Sequence, residues 1–179
     1  MIVDGGSTDG TPELLAREFS REGFTKPKIV VQRCTIAGGR NLAILSTSAD
    51  IIAANDAGSY PEPEWFGEIT SPLLADPKLD VVGGDSVPML QNDFQKLVQH
   101  LSPEPPPPAT PDEVYPSSRN IAFRRQAWAD VGGYPEWLTF TAEDALFNFE
   151  LHKIGKRFAY NPRARVHWPA RENPSLHPR

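Results

Sequence analysis

The stretch "IIAANDAGSYPEPEW" (51–65) decides the fold. A short apolar run, 51–54, ends at Asn55 and one carboxylate, Asp56; Ala57, Gly58 and a turn rich in proline and charge follow. An apolar run of this length reads as a buried strand, and the segment 63–74 after the turn reads as a helix. A lone aspartate at the tip of a buried strand is costly unless it binds something. Two questions follow: what Asp56 holds, and why a glycine stands two residues after it.

Working outward, the same unit recurs. Ile2-Val3 reads as the end of a strand and "DGGSTDGT" (4–11) as a polar loop. Thr11 is expected to cap a helix opening at Pro12 and carrying Leu14, Leu15 and Phe19 on one stripe to about residue 22. "KIVVQ" (28–32) and "DVVGG" (80–84) read as strands, and "TIAGGRNLAILSTS" (35–48) as a loop entering a helix with Leu42, Leu45 and Ala49 inward. Strands alternating with helices imply a mostly parallel, doubly wound α/β sheet with helices on both faces. In such sheets ligands bind beyond the carboxyl ends of the strands. Asp4 and Asp56 both follow strands there, so both are expected to face one crevice.

Past Gly84 the pattern changes. Phe94, Leu97, Val98 and Leu101 fall on one stripe of a short helix. The proline run within 103–111 excludes helix and central strand and reads as an exposed connector. "SSRNIAF" (117–123) reads as a strand, and 124–137 as a helix stopped by Gly132-Gly133. "AEDALFNFELHKIGK" (142–156) reads as a helix with Leu146, Phe149 and Ile154 inward, ended by Gly155. "RFAY" and "RVHW" read as two short strands around a turn at Asn161-Pro162, and 169–179 as a loose tail.

The bulk numbers bound the rest. A chain of 179 residues with net charge −5 fits one domain and offers no basic field for nucleic acid. The single cysteine, Cys34, excludes an internal disulfide and reads as structural; a reducing, cytoplasmic setting is expected. No apolar run approaches the ~20 residues that span a bilayer.

Taken in order, five stretches resemble glycosyltransferase family 2, the inverting sugar transferases of GT-A fold. These are "VDGGSTDGT" (3–11), "AGGRN" (37–41), "NDAGSYPEPEW" (55–65), "SSRNIAFRRQAWADVGGYPEW" (117–137) and "AEDALFNFELHKIGKRFAYNPRARVHW" (142–168). The resemblance covers about 4–168. It implies a nucleotide-sugar half over 1–87 and an acceptor and catalytic half over 88–168. It implies a nucleotide-sugar donor and a glycan or lipid-linked acceptor, with the chain in the cytoplasm or at the inner membrane surface. Asp144 is then the general base with Glu143 its orienting neighbour. Asp4 and Arg40 hold the nucleotide, Asp56 the ribose or a metal, and Asn120 and Arg124 the donor or its diphosphate. Family members carry a second acid two residues after the first, as a ligand for Mg²⁺ or Mn²⁺. Gly58 stands there, so metal use is in doubt. Asp56 and His167 could hold an ion, cations such as Arg124 or Arg165 could replace it, or the chain is a non-catalytic nucleotide-sugar-binding remnant. Relatives also begin with an earlier strand and helix, so the resemblance implies a missing first strand and marginal stability. A sugar nucleotidyltransferase would need a basic Gly-rich loop near the start, and a dinucleotide enzyme a G-x-G-x-x-G; neither is present.

Overall fold

The computed structural model describes residues 1–20, 27–101, 106–139 and 141–170. The expected tail, beyond Ala170, lies outside them, as do 102–105 of the proline run and the end of the first expected helix past Ser20. The elements are β1 (Ile2–Asp4), α1 (Thr11–Glu18), β2 (Ile29–Val31), α2 (Ile36–Leu45), β3 (Ile51–Ala54), β4 (Tyr60–Pro61), α3 (Trp65–Ala75), β5 (Val81–Met89), α4 (Asp93–Leu101), β6 (Ile121–Arg124), α5 (Arg125–Asp130), α6 (Glu143–Lys153) and β7 (Phe158–Pro169). A single 3₁₀ turn, Pro111–Glu113, closes the proline-rich connector.

The α/β architecture stands, but the strand directions are mixed. β1 and β2 form a parallel pair of their own, and the larger sheet runs β3-β6-β5-β7-β4. Within it β5 and β7 are parallel, whereas β6 is antiparallel to both β3 and β5, and β4 is antiparallel to β7. Local alternation of strand and helix predicts parallel crossovers; it cannot reveal that a later strand, β6, inserts between β3 and β5.

Period-2 alternation sorts the sheet's side chains into two cores. Val81, Ile121, Phe123 and Phe158 face one side with Ala37, Ile44, Ala127, Phe147 and Leu151, so α2, α5 and α6 cover that face. Val82, Ala122 and Ala164 face the other with Ile69, Leu73 and Leu79, under α3. β3 obeys the same rule: Ile52 and Ala54 join the first core, Ile51 and Ala53 the second. Burying each Val, Leu, Ile or Phe among them contributes roughly 1.5–3 kcal/mol before entropy is counted.

Helix α2 starts where Thr35 accepts a hydrogen bond from Gly38 N at 3.0 Å. It packs against β1 through Gly39 and Val3, and its Ala37 and Ile44 join the first core of the larger sheet, so it serves both sheets. Several predicted faces turn out rotated. Leu45 and Ala49 are exposed while Asn41 and Ile44 are buried. In α6, Phe149 and Ile154 are exposed, and Glu143, Phe147 and Leu151 face in. The apolar stripe of α4 likewise points outward at Leu97, Val98 and Leu101; its buried residue is Gln95, which donates to Ala170 O. At α1 the N-cap is Gly10, and Asp9 supplies the carboxylate, taking both the Thr11 amide and hydroxyl.

The two short terminal strands are one. β7 pairs with β5 along its length, but the register jumps from Gly84–Asn161 to Asp85–Arg165, so residues 162–164 form a bulge, not a turn between two strands. Asn120 holds that bulge. Its Nδ2 donates to Asp85 O at 2.6 Å and Ala164 O at 2.8 Å, and its Oδ1 accepts from Trp65 Nε1 at 2.8 Å. A side chain on Gly84 would overlap Asn120 and Ala164 O, so the close approach requires glycine there.

Candidate functional site

Arg40 is the hub. It sits on the first turns of α2 with a side chain only 15% exposed, and its guanidinium reaches two carboxylates at once. Nη2 donates to Asp56 Oδ1 at 2.8 Å, and Nη1 to Glu143 Oε1 at 2.6 Å. One arginine therefore ties the tip of β3 to the N-terminus of α6. Burial opposes its charge, but Asp56 and Glu143 more than offset that and hold its pKa above the ordinary value. The guanidinium also lies 5.6 Å from the centroid of the Tyr134 ring.

Around this fork the polar groups close a ring. Tyr134 stacks on Phe147 at 4.2 Å, and burial pushes its phenol up to about 12. Its oxygen accepts from the Ser118 hydroxyl, and the Ser118 amide donates to Asp144 Oδ2 at 3.3 Å. Asp144 thus stands beside Glu143 at the helix start, partly exposed, with its Oδ1 on the Ala145 amide. A carboxylate here is favoured by the helix dipole. Ala142, just before the pair, has φ 71°, the one left-handed residue other than glycine among the described residues.

The loop 131–137 is fixed by Asn41, whose side chain is saturated. Oδ1 accepts from Trp128 Nε1 and Tyr134 N, and Nδ2 donates to Tyr134 O and Glu136 Oε1. Sequence reasoning missed Asn41; its adjacency to Arg40 in "AGGRN" was the available signal. A cleft of about 490 Å³ opens between this loop and α6, lined by Tyr134, Trp137, Leu146 and Glu150 among others, with Asp4, Asp56 and Asp144 outside its lining.

Gly58 answers to its backbone. The Ser59 amide donates to Asp56 O, closing a turn in which Gly58 has φ 86°. The turn requires a left-handed residue, and glycine takes that conformation at no steric cost.

The remaining expected residues divide. Asp4 ends β1 and turns its Oδ1 onto the Gly6 and Ser7 amides; the Ser7 hydroxyl and amide hold its pKa below the usual value. Among the described residues no hydrogen bond or ion pair joins it to the Arg40 fork. Asn120 is buried, its Nδ2 on the β7 bulge and its Oδ1 on Trp65, so the structure gives it a stitching role in the core. Arg124 lies opposite Ile51, the start of β3, about 16 Å along the strand from Asp56 at ~3.3 Å per residue. It donates to Leu73 O, Asp76 O and Leu79 O and so caps the C-terminal end of α3, where a cation is favoured. Arg165 pairs with Asp85 and Glu62.

The donor set does not fit a divalent site built by the protein. Hard cations want six or more oxygen ligands. Asp56 Oδ1 serves Arg40, Gly58 brings no side-chain oxygen, and His167 Nε2 faces Glu62 at 2.9 Å. Among the described residues no group of three His, Cys, Asp or Glu could hold an ion, and no helix is long and apolar enough to cross a membrane.

The model of the family described as Glycosyl transferase family 2 matches residues 1–132. No curated protein matches the chain. Among solved structures, the mannosyltransferase PcManGT from Pyrobaculum calidifontis in complex with GDP-Man and Mn²⁺ superposes with TM-score 0.68 at 21% identity, over 92% of this chain and 46% of that one. GalNAc-T7 with UDP, GalNAc and Mn²⁺ gives 0.68 at 13%, over 94% and 37%. S. aureus TarS 1-349 in complex with UDP gives 0.66 at 18%, over 94% and 50%. The fold is thus that of the GT-A glycosyltransferases, and this chain spans half or less of each of these three proteins.

Proposed function

The chain belongs to glycosyl transferase family 2, and from that membership we propose that it transfers a sugar from a nucleoside diphosphate donor to an acceptor hydroxyl with inversion. The observation that carries the reading is the Arg40 fork: one buried cation joins Asp56 at the end of β3 to Glu143, and Asp144 stands next to it. The neighbours in fold solved with GDP-Man or UDP support a nucleoside diphosphate sugar as the donor class.

The step is a single displacement. The acceptor oxygen attacks the anomeric carbon, the bond from that carbon to the diphosphate oxygen breaks, and the electron pair leaves with the diphosphate. Asp144, at the open helix N-terminus, takes the acceptor proton as general base. Glu143 orients that helix start through Arg40, and Arg40 in turn holds Asp56 toward the ribose. Asp4 meets the nucleotide from the end of β1. A glycan or lipid-linked alcohol at the membrane surface is the acceptor class that the family suggests.

Calorimetry with UDP-, GDP- and dTDP-sugars, with and without Mn²⁺, tests donor binding. Asp144→Asn then separates catalysis from mere binding. Donor affinity is expected to persist while transfer falls by roughly 10²- to 10⁴-fold, the usual worth of a positioned base. Transfer that survives the substitution sinks the base assignment. Donor binding without transfer in the parent chain favours the non-catalytic reading, which the missing second acid at Gly58 supports.

A further inference from the structure

We propose that Arg119 receives the diphosphate of the donor, supplying the positive charge that a divalent ion would otherwise bring; the proposal rests on reading the crevice as a nucleotide-sugar site. Arg119 lies in the turn that enters β6, and its backbone is tied to both sides of the crevice. Its carbonyl accepts from Asn55 Nδ2 at 2.8 Å, and Asn55 directly precedes Asp56. Its neighbour Ser118 gives its amide to Asp144. Arg119 is therefore one residue removed from Asp56, which the mechanism turns toward the ribose, and from Asp144, the proposed base.

Its side chain is placed but not neutralised. The guanidinium lies 4.3 Å from the ring centroid of Trp168, which follows His167 on β7. That end of β7 runs beside β4, the strand that leaves the Asp56–Gly58 turn. Arginine stacks flat on an aromatic ring and leaves the N–H groups at its edge free to donate. The other cations nearby are spent: Arg40 on Asp56 and Glu143, Arg165 on Asp85 and Glu62. Among the described residues no ion pair involves Arg119, and no hydrogen bond is made by its guanidinium. A half-buried arginine, held by an aromatic ring and lacking a carboxylate, is ready for an anion that the chain does not itself contain.

The chemistry of the turn agrees. With glycine at 58, no second acid stands beside Asp56 either to recruit a metal ion or to repel a phosphate. A diphosphate carries its charge on paired oxygens that match the guanidinium fork. As the bond to the anomeric carbon breaks, negative charge grows on the leaving group, and a cation already in place stabilises it without reorganisation. The plain competing account is a surface arginine resting on a tryptophan, which would add a little packing and nothing to phosphate binding.

The experiment compares wild type, Arg119→Gln and Arg119→Lys of the full chain in binding UDP, GDP and dTDP, and the matching monophosphates, by calorimetry in EDTA. Expected is metal-free diphosphate binding by the wild type, weakened about 10- to 100-fold by Arg119→Gln, the worth of a charge-assisted hydrogen bond or two. Monophosphate affinity should change little, and Arg119→Lys should recover part of the loss. Circular dichroism of both variants checks the fold. Unchanged diphosphate affinity in Arg119→Gln overturns the proposal, as does an equal loss for mono- and diphosphate. A wild type that binds diphosphate only once Mn²⁺ is added overturns it too, while leaving the donor reading in place. A wild type that binds none of the three, with or without Mn²⁺, overturns the donor reading and this proposal together.

Discussion

Removing the Arg40 guanidinium is the sharpest test of how the site is held. Arg40→Met keeps most of the stem and deletes the charge, leaving Glu143, whose side chain is 10% exposed, without its partner. Breaking a buried pair from one side costs about 3–5 kcal/mol, because the surviving charge stays buried and alone. The Asp56 arm adds less than about 1 kcal/mol, since that carboxylate is 43% exposed and water screens it. Allowing for relaxation at the open edge of the site, the loss should be about 3 kcal/mol. That is a large part of the ~5–15 kcal/mol a domain has. Urea unfolding at neutral pH reads it: with a slope near 2 kcal/mol/M the midpoint falls by roughly 1.5 M. The decisive comparison is the double variant. Adding Glu143→Gln to Arg40→Met removes the orphaned charge and should recover about 1–2 kcal/mol, although Glu143→Gln alone destabilises the parent. A loss below about 1 kcal/mol for Arg40→Met, or no recovery in the double variant, would refute the claim that this fork binds β3 to α6.

Three more outcomes follow from single contacts. Asn120→Ala deletes the three hydrogen bonds of a buried side chain and should cost about 3 kcal/mol by urea unfolding, with donor affinity of the folded protein unchanged; intact stability with weakened donor binding would return Asn120 to the donor site. Gly58→Asp enters open space in a left-handed turn residue, so it should cost only about 1 kcal/mol and give calorimetrically measurable Mn²⁺ binding beside Asp56. No gain in Mn²⁺ binding would show that the missing acid is not what limits metal affinity. Asp4, Asp9 and Asp130 are held below the ordinary aspartate value of 3.8, by the Ser7, Thr11 and Lys156 hydrogen bonds first of all. Their folded pKa lies below the unfolded one, so their contribution is present above 3.8 and is lost as the pH falls through the folded values. The urea midpoint should drop as the pH falls below 3.8, and a flat profile there would remove these contacts from the stability account.

Much of the fold was legible because local patterning carries it. The strands at 51–54 and from 81 onward announce themselves by β-branched runs, and the helix after 63 by its turn chemistry. What local patterning cannot carry is the partner. β6 lies between β3 and β5 although the chain reaches it 67 residues after β3 ends, counted from Ala54 to Ile121. Helix rotation was misread for a related reason. In α6 the apolar Phe149 is out, and the acidic Glu143 is in, on the same face as Phe147 and Leu151. Arg40, 103 residues away, makes burial of that carboxylate tolerable, and no local pattern announces it. Asn120 and Arg124 show the same limit: a polar residue that satisfies a distant bulge or a helix end reads in sequence like one that awaits a ligand.

Two turn residues show where the chain departs from local preference, and in opposite senses. At Asp56–Ser59 the left-handed position carries Gly58, so the tip that presents Asp56 is relaxed. At the start of α6 the left-handed position carries Ala142, with no side-chain cap, so the residue that presents Glu143 and Asp144 is strained. The strain costs about 1–2 kcal/mol for a residue with a Cβ. It persists because the helix beyond is pinned: the Leu146 amide binds Ala142 O, and Arg40 fixes Glu143. Strained backbone that its surroundings over-determine concentrates at functional sites. Here it sits one residue before the orienting glutamate and two before the proposed base. The physical weight of the site therefore falls on the Glu143-Asp144 end, while the turn after Asp56 is left unstrained and without the acid that would tie it to a metal.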